Sequence, residues 1–295
     1  MDLADLRVFE AVARLGGMNR AATELHTVQS NVTARVRQLE EELGVTLFNR
    51  HSRGVALTPE GHRLLPFANR MATLLNEARQ AVQDDGQPKG QLVIGSLETT
   101  AAVRLAPVLA NYASAYPEVD LSLVVGTTEE MVARVLEHQV EGAFVCGPVS
   151  HPELDEHMVF QEDLALVTPR GMGGFAAVAR VPDLKIVVLR LGCSYRQRLE
   201  EILHQRGIVG LRRLEFGTID GMLGCVAAGL GITLLPESLA TTQRFQAQVS
   251  VHRLPKGEGR VETVFIRRKD AYRSSALSAF LKAVTPVRGR VQAAG

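Results

Sequence analysis

The sequence predicts an α/β protein that carries a small all-α unit at its N-terminus. Three observations support this fold class. Residues 18–57 read as two short helices, a turn, a longer helix and a basic hairpin. Residues 59–85 repeat apolar side chains at alternating spacings of four and three. After residue 90, β-branched runs alternate with helical segments, and the 295 residues suffice for two or three domains with cores of their own.

The longer helix within residues 18–57 has one apolar side and one polar side. Its apolar residues fall at spacings of four, three and four and predict one buried stripe, made of Val32, Val36, Leu39 and Leu43. We expect the helix to start near Val28, with Thr27 as its N-cap. The residues that face away from the stripe are short hydrogen-bonding or cationic groups, namely Gln29, Ser30, Thr33 and Arg37. Such groups suit base edges and phosphates in the major groove of DNA.

The charges of this segment favour the same interpretation. From Val28 to Gln38 there are two arginines, Arg35 and Arg37, and no acid. A basic, glycine-containing turn follows between two short apolar runs and reads as a wing. Its cations, which we expect to bind phosphate, are Arg50, His51 and Arg53. The alternative is a solvated helix in an ordinary bundle, but helix, turn, basic wing and charge asymmetry coincide here.

Residues 59–85 predict a helix with a narrow apolar seam, which suits a second helix as its partner. The seam comprises Leu64, Ala68, Met71, Leu75, Ala78 and Val82. Thr58 can cap this helix, Pro59 suits its first position, and Pro66 should weaken or kink it. We interpret the segment as a contact between two chains, with packing on its own domain as the alternative. Residues 84–90 then form a hinge.

Strands and helices alternate after residue 90, which implies parallel sheets with crossover helices. The predicted strands lie at residues 92–94, 121–125, 143–146, 186–189 and 232–235. The predicted helices lie at residues 100–115, 128–138, 195–206 and 219–229. Hydroxyl-bearing residues follow several strands where helices begin, and this composition predicts a polar pocket suited to a carboxylate. Each hydroxyl could instead merely cap its own helix.

Composition excludes several classes of protein. The formal net charge of +1 permits DNA binding, because only a local patch must be basic. No apolar run reaches the roughly 18 residues of a membrane span, and the N-terminus carries acids where a signal peptide carries cations. Cys146, Cys193 and Cys225 are widely spaced, which argues against a secreted disulfide framework or a zinc cluster. We therefore expect a cytoplasmic chain with no metal and no membrane partner.

The N-terminal segment resembles the DNA-binding domain of LysR-type transcriptional regulators. The matching residues are Phe9-Glu10-Ala11-Val12-Ala13, Ala21-Ala22, Leu25, Gln29-Ser30-Asn31-Val32-Thr33, Leu39-Glu40, Leu43-Gly44, Leu47-Phe48, Arg50, Arg53 and Leu57-Thr58-Pro59-Glu60-Gly61. The resemblance implies a winged helix-turn-helix over residues 1–58, a dimerisation helix and hinge over 59–90, and an effector-binding domain over 91–295. Asn31 is one of the matching residues and joins the expected DNA contacts. These contacts are Gln29, Ser30, Asn31, Thr33, Arg35, Arg37, Arg50 and Arg53.

Residues 91 to about 285 are similar to the effector-binding domain of the same family, notably at 192–196 and 224–236. The resemblance implies a periplasmic-binding-protein-like domain with a cleft between lobe one, 91–165 plus 266–285, and lobe two, 166–265. It also implies a dimer of dimers on promoter DNA, with RNA polymerase as a further candidate partner. The expected effector contacts are Ser96, Glu98, Thr99, Thr100, Thr127, Thr128, Cys146, Ser194, Thr218 and Asp220.

These observations predict a ligand-responsive transcription factor that is not an enzyme, needs no cofactor and senses a small metabolite. Donors dominate the strand ends, so we favour a carboxylate as the effector, with a cationic amine held by Glu98 as the alternative. Two other functions stay open. One is a thiol-based redox regulator that uses Cys193 and Cys225, and the other is an enzyme with Cys193 as nucleophile at a helix start.

Overall fold

The computed structural model describes residues 1–51, 54–255 and 257–284 and divides them into two compact units. The first unit comprises residues 1–85 together with 137–139, and the second comprises the rest. The elements of the first unit are α1 (Leu3–Leu15), α2 (Met18–Glu24), α3 (Gln29–Leu43), β1 (Phe48–His51), β2 (Gly54–Leu57) and α4 (Pro59–Gln83). Strands β1 and β2 pair antiparallel, so the basic segment forms the predicted hairpin.

A side-chain cap defines where α1 begins, whereas α3 begins without one. Asp2 and Asp5 form a reciprocal capping box at α1, in which each carboxylate accepts from the other residue's amide. The Asp5 amide is the main group that lowers the pKa of the Asp2 carboxyl. The prediction that Thr27 caps α3 was wrong, because Val28 is the N-cap and the Thr27 hydroxyl accepts from the Asn31 side-chain amide at 2.9 Å instead.

One apolar core holds the helices of the first unit together. Its fully buried residues include Phe9, Val12, Ala21, Val32, Val36, Leu39 and Leu47. The rings of Phe9 and Phe48 lie 5.2 Å apart, which joins α1 to the hairpin. Three of the four residues of the predicted α3 stripe are buried, whereas Leu43 is exposed near the end of the helix. Burial of that stripe fixes which side of α3 faces outward.

The long helix α4 continues without interruption through Pro66. Its first turns pack on the core of the first unit, where Ala68 is buried and Leu64 is partly buried. Further along, large apolar side chains on one face are exposed, namely Phe67, Met71, Leu74 and Val82. The predicted seam therefore divides in two. Its beginning belongs to the domain core, whereas Met71, Ala78 and Val82 of its continuation are exposed in the single chain, beside Phe67 and Leu74, and Leu75 is half-buried.

The second unit contains the remaining elements of the described residues. Its strands are β3 (Gly90–Leu97), β4 (Val119–Gly126), β5 (Gly142–Cys146), β6 (Leu154–Pro169), β7 (Lys185–Leu189), β8 (Arg212–Phe216), β9 (Thr233–Pro236), β10 (Val249–Arg253) and β11 (Arg260–Arg268). Its helices are α5 (Glu98–Thr100), a π-helical turn (Ala101–Leu105), α6 (Ala106–Ala115), α7 (Thr128–Leu136), α8 (Phe175–Val178), α9 (Ser194–Gln205), α10 (Ile219–Ala227), α11 (Glu237–Ala240), α12 (Gln243–Gln246) and α13 (Ser275–Val284).

The pairing of β6 divides this unit into two lobes. Residues 154–163 of β6 pair with β11, which continues through β5 and β3 to β4; this sheet, with α6, α7 and α13, forms lobe one. Residues 164–169 of β6 pair with β9 and β10, and together with β7, β8, α9 and α10 they form lobe two. Because β11 pairs with lobe-one strands along its whole length, the pairing favours a boundary near residue 259.

The expectation of purely parallel sheets was too simple. Strands β3, β4 and β5 are mutually parallel, as are β7 and β8. Of the strands that the sequence did not predict, β6, β10 and β11 pair antiparallel, whereas β8 pairs parallel with β7. Strand β9 also pairs antiparallel with β6. The described residues contain no helix both long enough and apolar enough to cross a membrane.

Candidate functional site

The outward face of α3 is the first candidate site. Gln29, Ser30 and Arg37 are exposed on it and Thr33 is half-buried. The Gln29 side-chain amide donates to the Thr33 hydroxyl at 3.3 Å, so these two groups already lie together one turn apart. The stripe of Val32, Val36 and Leu39 anchors the opposite side of the helix in the core. The arrangement presents a polar helix surface, and a DNA major groove admits an α-helix.

Arg35 does not lie on that outward face. Its Nη1 atom donates to the Asp5 carboxylate at 2.8 Å and lies 3.8 Å from an oxygen of Asp2, so the guanidinium points toward the start of α1. Asn31 is exposed and is engaged with Thr27. The helical spacing already placed Arg37, and not Arg35, among the outward residues, but the sequence did not reveal the ion pair with Asp5, which joins residues thirty positions apart.

The predicted wing is present as the β1–β2 hairpin. Arg50 lies on β1, where its backbone pairs with Val55 of β2. Arg53, expected to bind phosphate, lies outside the described residues. The amide of Val55 donates to the carbonyl of Gly16 at 3.1 Å, which ties the hairpin to the end of α1.

The second candidate site is a cleft of about 470 Å³ between the two lobes of the second unit, a volume that includes space open to solvent. Lobe one contributes Leu97, Glu98, Thr99, Val125, Gly126, Thr127 and Thr128 to its lining. Lobe two contributes Leu189, Arg190, Cys193, Ser194, Tyr195 and Gly217. The lobe-one residues follow the carboxyl ends of β3 and β4, and Ser194 and Tyr195 begin α9. Parallel strands and helix starts of this kind commonly form ligand sites.

Polar contacts cross the cleft directly. The Ser194 hydroxyl donates to the Thr128 hydroxyl at 3.1 Å, and the amide of Cys146 donates to the same Thr128 oxygen at 3.4 Å. Elsewhere, the amide of Ile219, the first residue of α10, donates to a Glu98 carboxylate oxygen at 3.1 Å. Lobe one therefore meets the starts of both α9 and α10 in lobe two.

The lobes come so close at Gly192 that no side chain fits there. Its backbone has a φ of +88°, and a Cβ atom would lie 2.8 Å from the Thr127 hydroxyl and 3.0 Å from a Glu129 carboxylate oxygen. At the rim, Arg190 of lobe two lies 3.8 Å from Glu130 of lobe one, with both side chains substantially exposed. An exposed pair at this distance contributes little to stability.

The structure brings half of the sequence-predicted effector residues to the cleft wall. The residues in the lining are Glu98, Thr99, Thr127, Thr128 and Ser194. Ser96 and Thr100 are buried outside the lining, and Thr218 and Asp220 are exposed. Thr218 instead caps α10, because its hydroxyl accepts from the amide of Gly221. This agrees with the alternative that such a hydroxyl caps its own helix. Cys146 lies behind Thr128, to which its amide donates.

Tyr195 and Arg190 are lining residues that the sequence did not single out. Tyr195 is buried in the core of lobe two, and burial is the main cause that raises the pKa of its phenol. The only available signal was its position directly after Ser194 at a predicted helix start. Burial likewise raises the pKa of the Cys146 and Cys193 thiols, both of which pack on the core of lobe two. No cluster of metal-ligating side chains occurs in the described part of the chain.

Comparisons with known proteins cover nearly the whole chain. The family model described as "LysR substrate binding domain" matches residues 85–288, and "Bacterial regulatory helix-turn-helix protein, lysR family" matches residues 3–62. The HTH-type transcriptional regulator GltR of Bacillus subtilis (strain 168) is 42% identical over 281 residues, which cover 95% of each protein.

Two solved structures are similar over their full length. Full-length CbnR complexed with its target DNA has a TM-score of 0.67 at 26% identity, covering 96% of this chain and 99% of that chain. A full-length OxyR variant from Pseudomonas aeruginosa has a TM-score of 0.73 at 20% identity, covering 96% and 94%, and this likeness concerns the fold alone.

Alkylation can test how reactive the thiols of Cys146 and Cys193 are. Because burial raises the pKa of Cys146 and Cys193, little thiolate should form near neutral pH, and iodoacetamide should react with both more slowly than with a small exposed thiol. Because the pKa of each thiol is raised, the alkylation rates should keep increasing above pH 8.5, which is about the usual pKa of a cysteine thiol. Timed alkylation followed by peptide mass spectrometry measures them, with the urea-unfolded chain as the control. Fast reaction of Cys193 in the folded chain near neutral pH would favour the redox-sensing alternative.

Proposed function

Because this chain belongs to the LysR family of DNA-binding transcriptional regulators, we propose that α3 reads promoter DNA and that the interlobe cleft binds the effector. The observation that carries the first part is the outward face of α3. Gln29, Ser30, Thr33 and Arg37 stand on one side of a helix whose other side is buried in the domain core. The CbnR structure, which contains target DNA, supports a DNA-binding role for a chain of this architecture.

The base-reading role falls to Gln29 and its neighbours, and the wing cations Arg50 and Arg53 take phosphates. A glutamine side chain can make a bidentate contact to adenine, which discriminates between bases. Cations on a wing add affinity for any sequence and make it depend on salt.

The effector proposal rests on the hydrogen-bonding capacity that the cleft hydroxyls retain. The Thr127 oxygen already accepts from the Glu130 amide, and the Thr128 oxygen accepts from Ser194 and from the Cys146 amide. Each hydroxyl therefore keeps its hydrogen for a ligand. A wall with donors to spare suits an accepting group, so we favour a small metabolite with a carboxylate.

A second candidate class is a cationic amine. Glu98 is an acid in the cleft lining, and only one of its two oxygens is engaged by the Ile219 amide. The other oxygen can accept from an ammonium group. A metabolite that carries both charges would satisfy Glu98 and the hydroxyls together.

Self-association is the third part of the proposal. The exposed face of Phe67, Met71, Leu74 and Val82 on α4 is apolar and helical, and a second α4 of another chain would cover it. Two-fold symmetry of such a dimer fits a pseudo-palindromic DNA site. Two dimers joined through their second units would give the expected tetramer.

Gln29→Ala should lose discrimination between sequences. Removal of one bidentate base contact costs about 1–3 kcal/mol on the preferred site and nothing on random DNA. The measurement compares affinity for the duplex that in vitro selection enriches with affinity for a mixed-sequence duplex. The matched control is Gln38→Ala, an exposed glutamine nearer the C-terminal end of α3, which should leave both affinities unchanged. Equal losses on both duplexes for Gln29→Ala would refute base reading.

Met71→Glu combined with Leu74→Glu should dissociate the chains, because burial of two carboxylates in an apolar interface is costly. Sedimentation velocity over a range of concentrations measures the change in mass. The control places the same two charges on exposed polar positions of α4, Asn76→Glu with Gln83→Glu, and should keep the native mass. An unchanged mass for the first pair would show that this face is not an interface between chains.

Thr128→Val should weaken the response to the effector. Loss of one hydrogen bond to a charged group costs about 1.5–3 kcal/mol of binding, which lowers affinity at least tenfold. Thermal denaturation with panels of small carboxylates and amines first identifies the ligand class by the rise in midpoint. Thr241→Val, an exposed threonine outside the cleft lining, serves as the control. If Thr128→Val and the control respond to the ligand alike, the binding site lies elsewhere.

A further inference from the structure

Arg35 of α3 is joined to the first turn of α1 by an ion pair. Its Nη1 atom lies 2.8 Å from Asp5 Oδ1, and the Asp5 side chain is only 4% exposed, against 35% for Arg35. Asp2, which is mostly exposed, lies farther from the guanidinium at 3.8 Å. The main partner of Arg35 is therefore a buried carboxylate.

Both oxygens of the Asp5 carboxylate are engaged. Oδ1 accepts from Arg35, and Oδ2 accepts from the Asp2 amide as half of the α1 capping box. The capping box fixes the orientation of Asp5, since its own amide donates to the Asp2 carboxylate at 2.8 Å. A carboxylate that is buried and fixed in this way holds its cation more tightly than a surface acid does, because loss of the cation leaves a buried charge without its counterion.

The ion pair adds a directional contact between α3 and α1. The stripe of Val32, Val36 and Leu39 makes the apolar contact of α3 with the core, and further along the helix the Glu40 carboxylate accepts from the amides of Leu47 and Phe48 at 2.7 and 3.2 Å. Apolar burial is non-directional, so such a stripe tolerates small rotations of the helix. A charged hydrogen bond at one edge of the stripe does not, because its distance and angle are narrowly limited.

We propose that the Asp5–Arg35 ion pair, together with the Glu40 contacts further along the helix, sets the rotation of α3 about its axis, and that Arg35 is a positioning residue and not a DNA ligand. The inference rests on the proposed role of α3 in reading bases. Thr33 and Arg37 flank Arg35 in sequence, so a change in the rotation of α3 redirects both of them together with Gln29. A small change in the direction of these side chains is enough to lose a bidentate contact to a base edge.

A substitution of Asp5 tests the proposal, because the carboxylate of Asp5 is negative and cannot be a phosphate ligand. If only its charge mattered, Asp5→Asn would tighten binding to every duplex, since a negative charge near DNA is removed. If Asp5 positions α3, the same change should lower the preference for the selected duplex over mixed-sequence DNA by about tenfold. Asp5→Asn is isosteric and keeps an acceptor for the Asp2 amide, so the capping box can persist.

The experiment measures affinities of the full chain for the duplex enriched by in vitro selection and for a mixed-sequence duplex, over a series of salt concentrations. Arg35→Gln should lower the preference as Asp5→Asn does and leave the salt slope unchanged. Arg37→Gln is the matched control, an exposed arginine on the outward face, and should reduce the slope by about one. Arg35→Lys keeps the charge pair and should retain the preference. The double variant Asp5→Asn with Arg35→Gln should be no worse than either single change, because both remove the same contact.

Three outcomes would overturn the proposal. One is an unchanged preference in Asp5→Asn. Another is tighter binding to both duplexes in that variant. The third is a slope reduced by about one in Arg35→Gln, which marks a phosphate contact. If Arg35→Gln binds neither duplex, Asp5→Asn decides. The Gln29→Ala variant separates this proposal from the broader one: if Gln29→Ala loses preference and Asp5→Asn does not, only the positioning role fails.

Discussion

The pairing of β6 is the constraint on which the two-lobed unit depends. A strand of sixteen residues gives its first part to β11 in lobe one and its last part to β9 and β10 in lobe two. Both lobes are therefore attached to one continuous backbone, whose ladder hydrogen bonds must all be satisfied. The ends of β3 and β4 and the starts of α9 and α10 can then face one another across a cleft. Without this shared strand, no continuous backbone would hold Thr128 of lobe one close to Ser194 of lobe two.

In the first unit, the division between buried and exposed sides of α3 plays the corresponding part. Val32, Val36 and Leu39 are buried completely, so the residues between them must face either solvent or a neighbouring helix. Gln29 and Arg37 face solvent, whereas Arg35 meets the capped start of α1. On the proposed roles of α3 and Arg35, a cation on this helix need not be a DNA ligand. Its neighbours within the fold decide whether it contacts the target or orients the residues that do.

The sequence predicted the elements whose signals are local. The apolar stripe of α3, the capped start of α4 and the short apolar strands each carry a pattern that repeats along a few residues. Strand β6 was missed because its first part, from Leu154 to Gln161, mixes acids, His157 and exposed Met158 with apolar residues, and pairing with β11 alone makes it a strand. The effector residues were ambiguous for a related reason. A hydroxyl at a helix start looks the same in sequence whether it caps the helix, as Thr218 does, or faces a cleft, as Thr128 does.

The contacts across the cleft also limit how an effector could act. Ser194 donates to Thr128, and the start of α10 donates to Glu98, so the lobes already satisfy part of one another's hydrogen-bonding capacity. A ligand that entered here would exchange these contacts for its own. It would shift the lobe arrangement only by the difference between its affinities for the two arrangements, however tightly it bound. Gly192 adds a steric limit, because its close approach to Thr127 leaves no space for a side chain at that edge. In the proposed role, an effector that keeps the lobes together would bind beside Thr128 and Glu98, where a donor and an acceptor remain available to it.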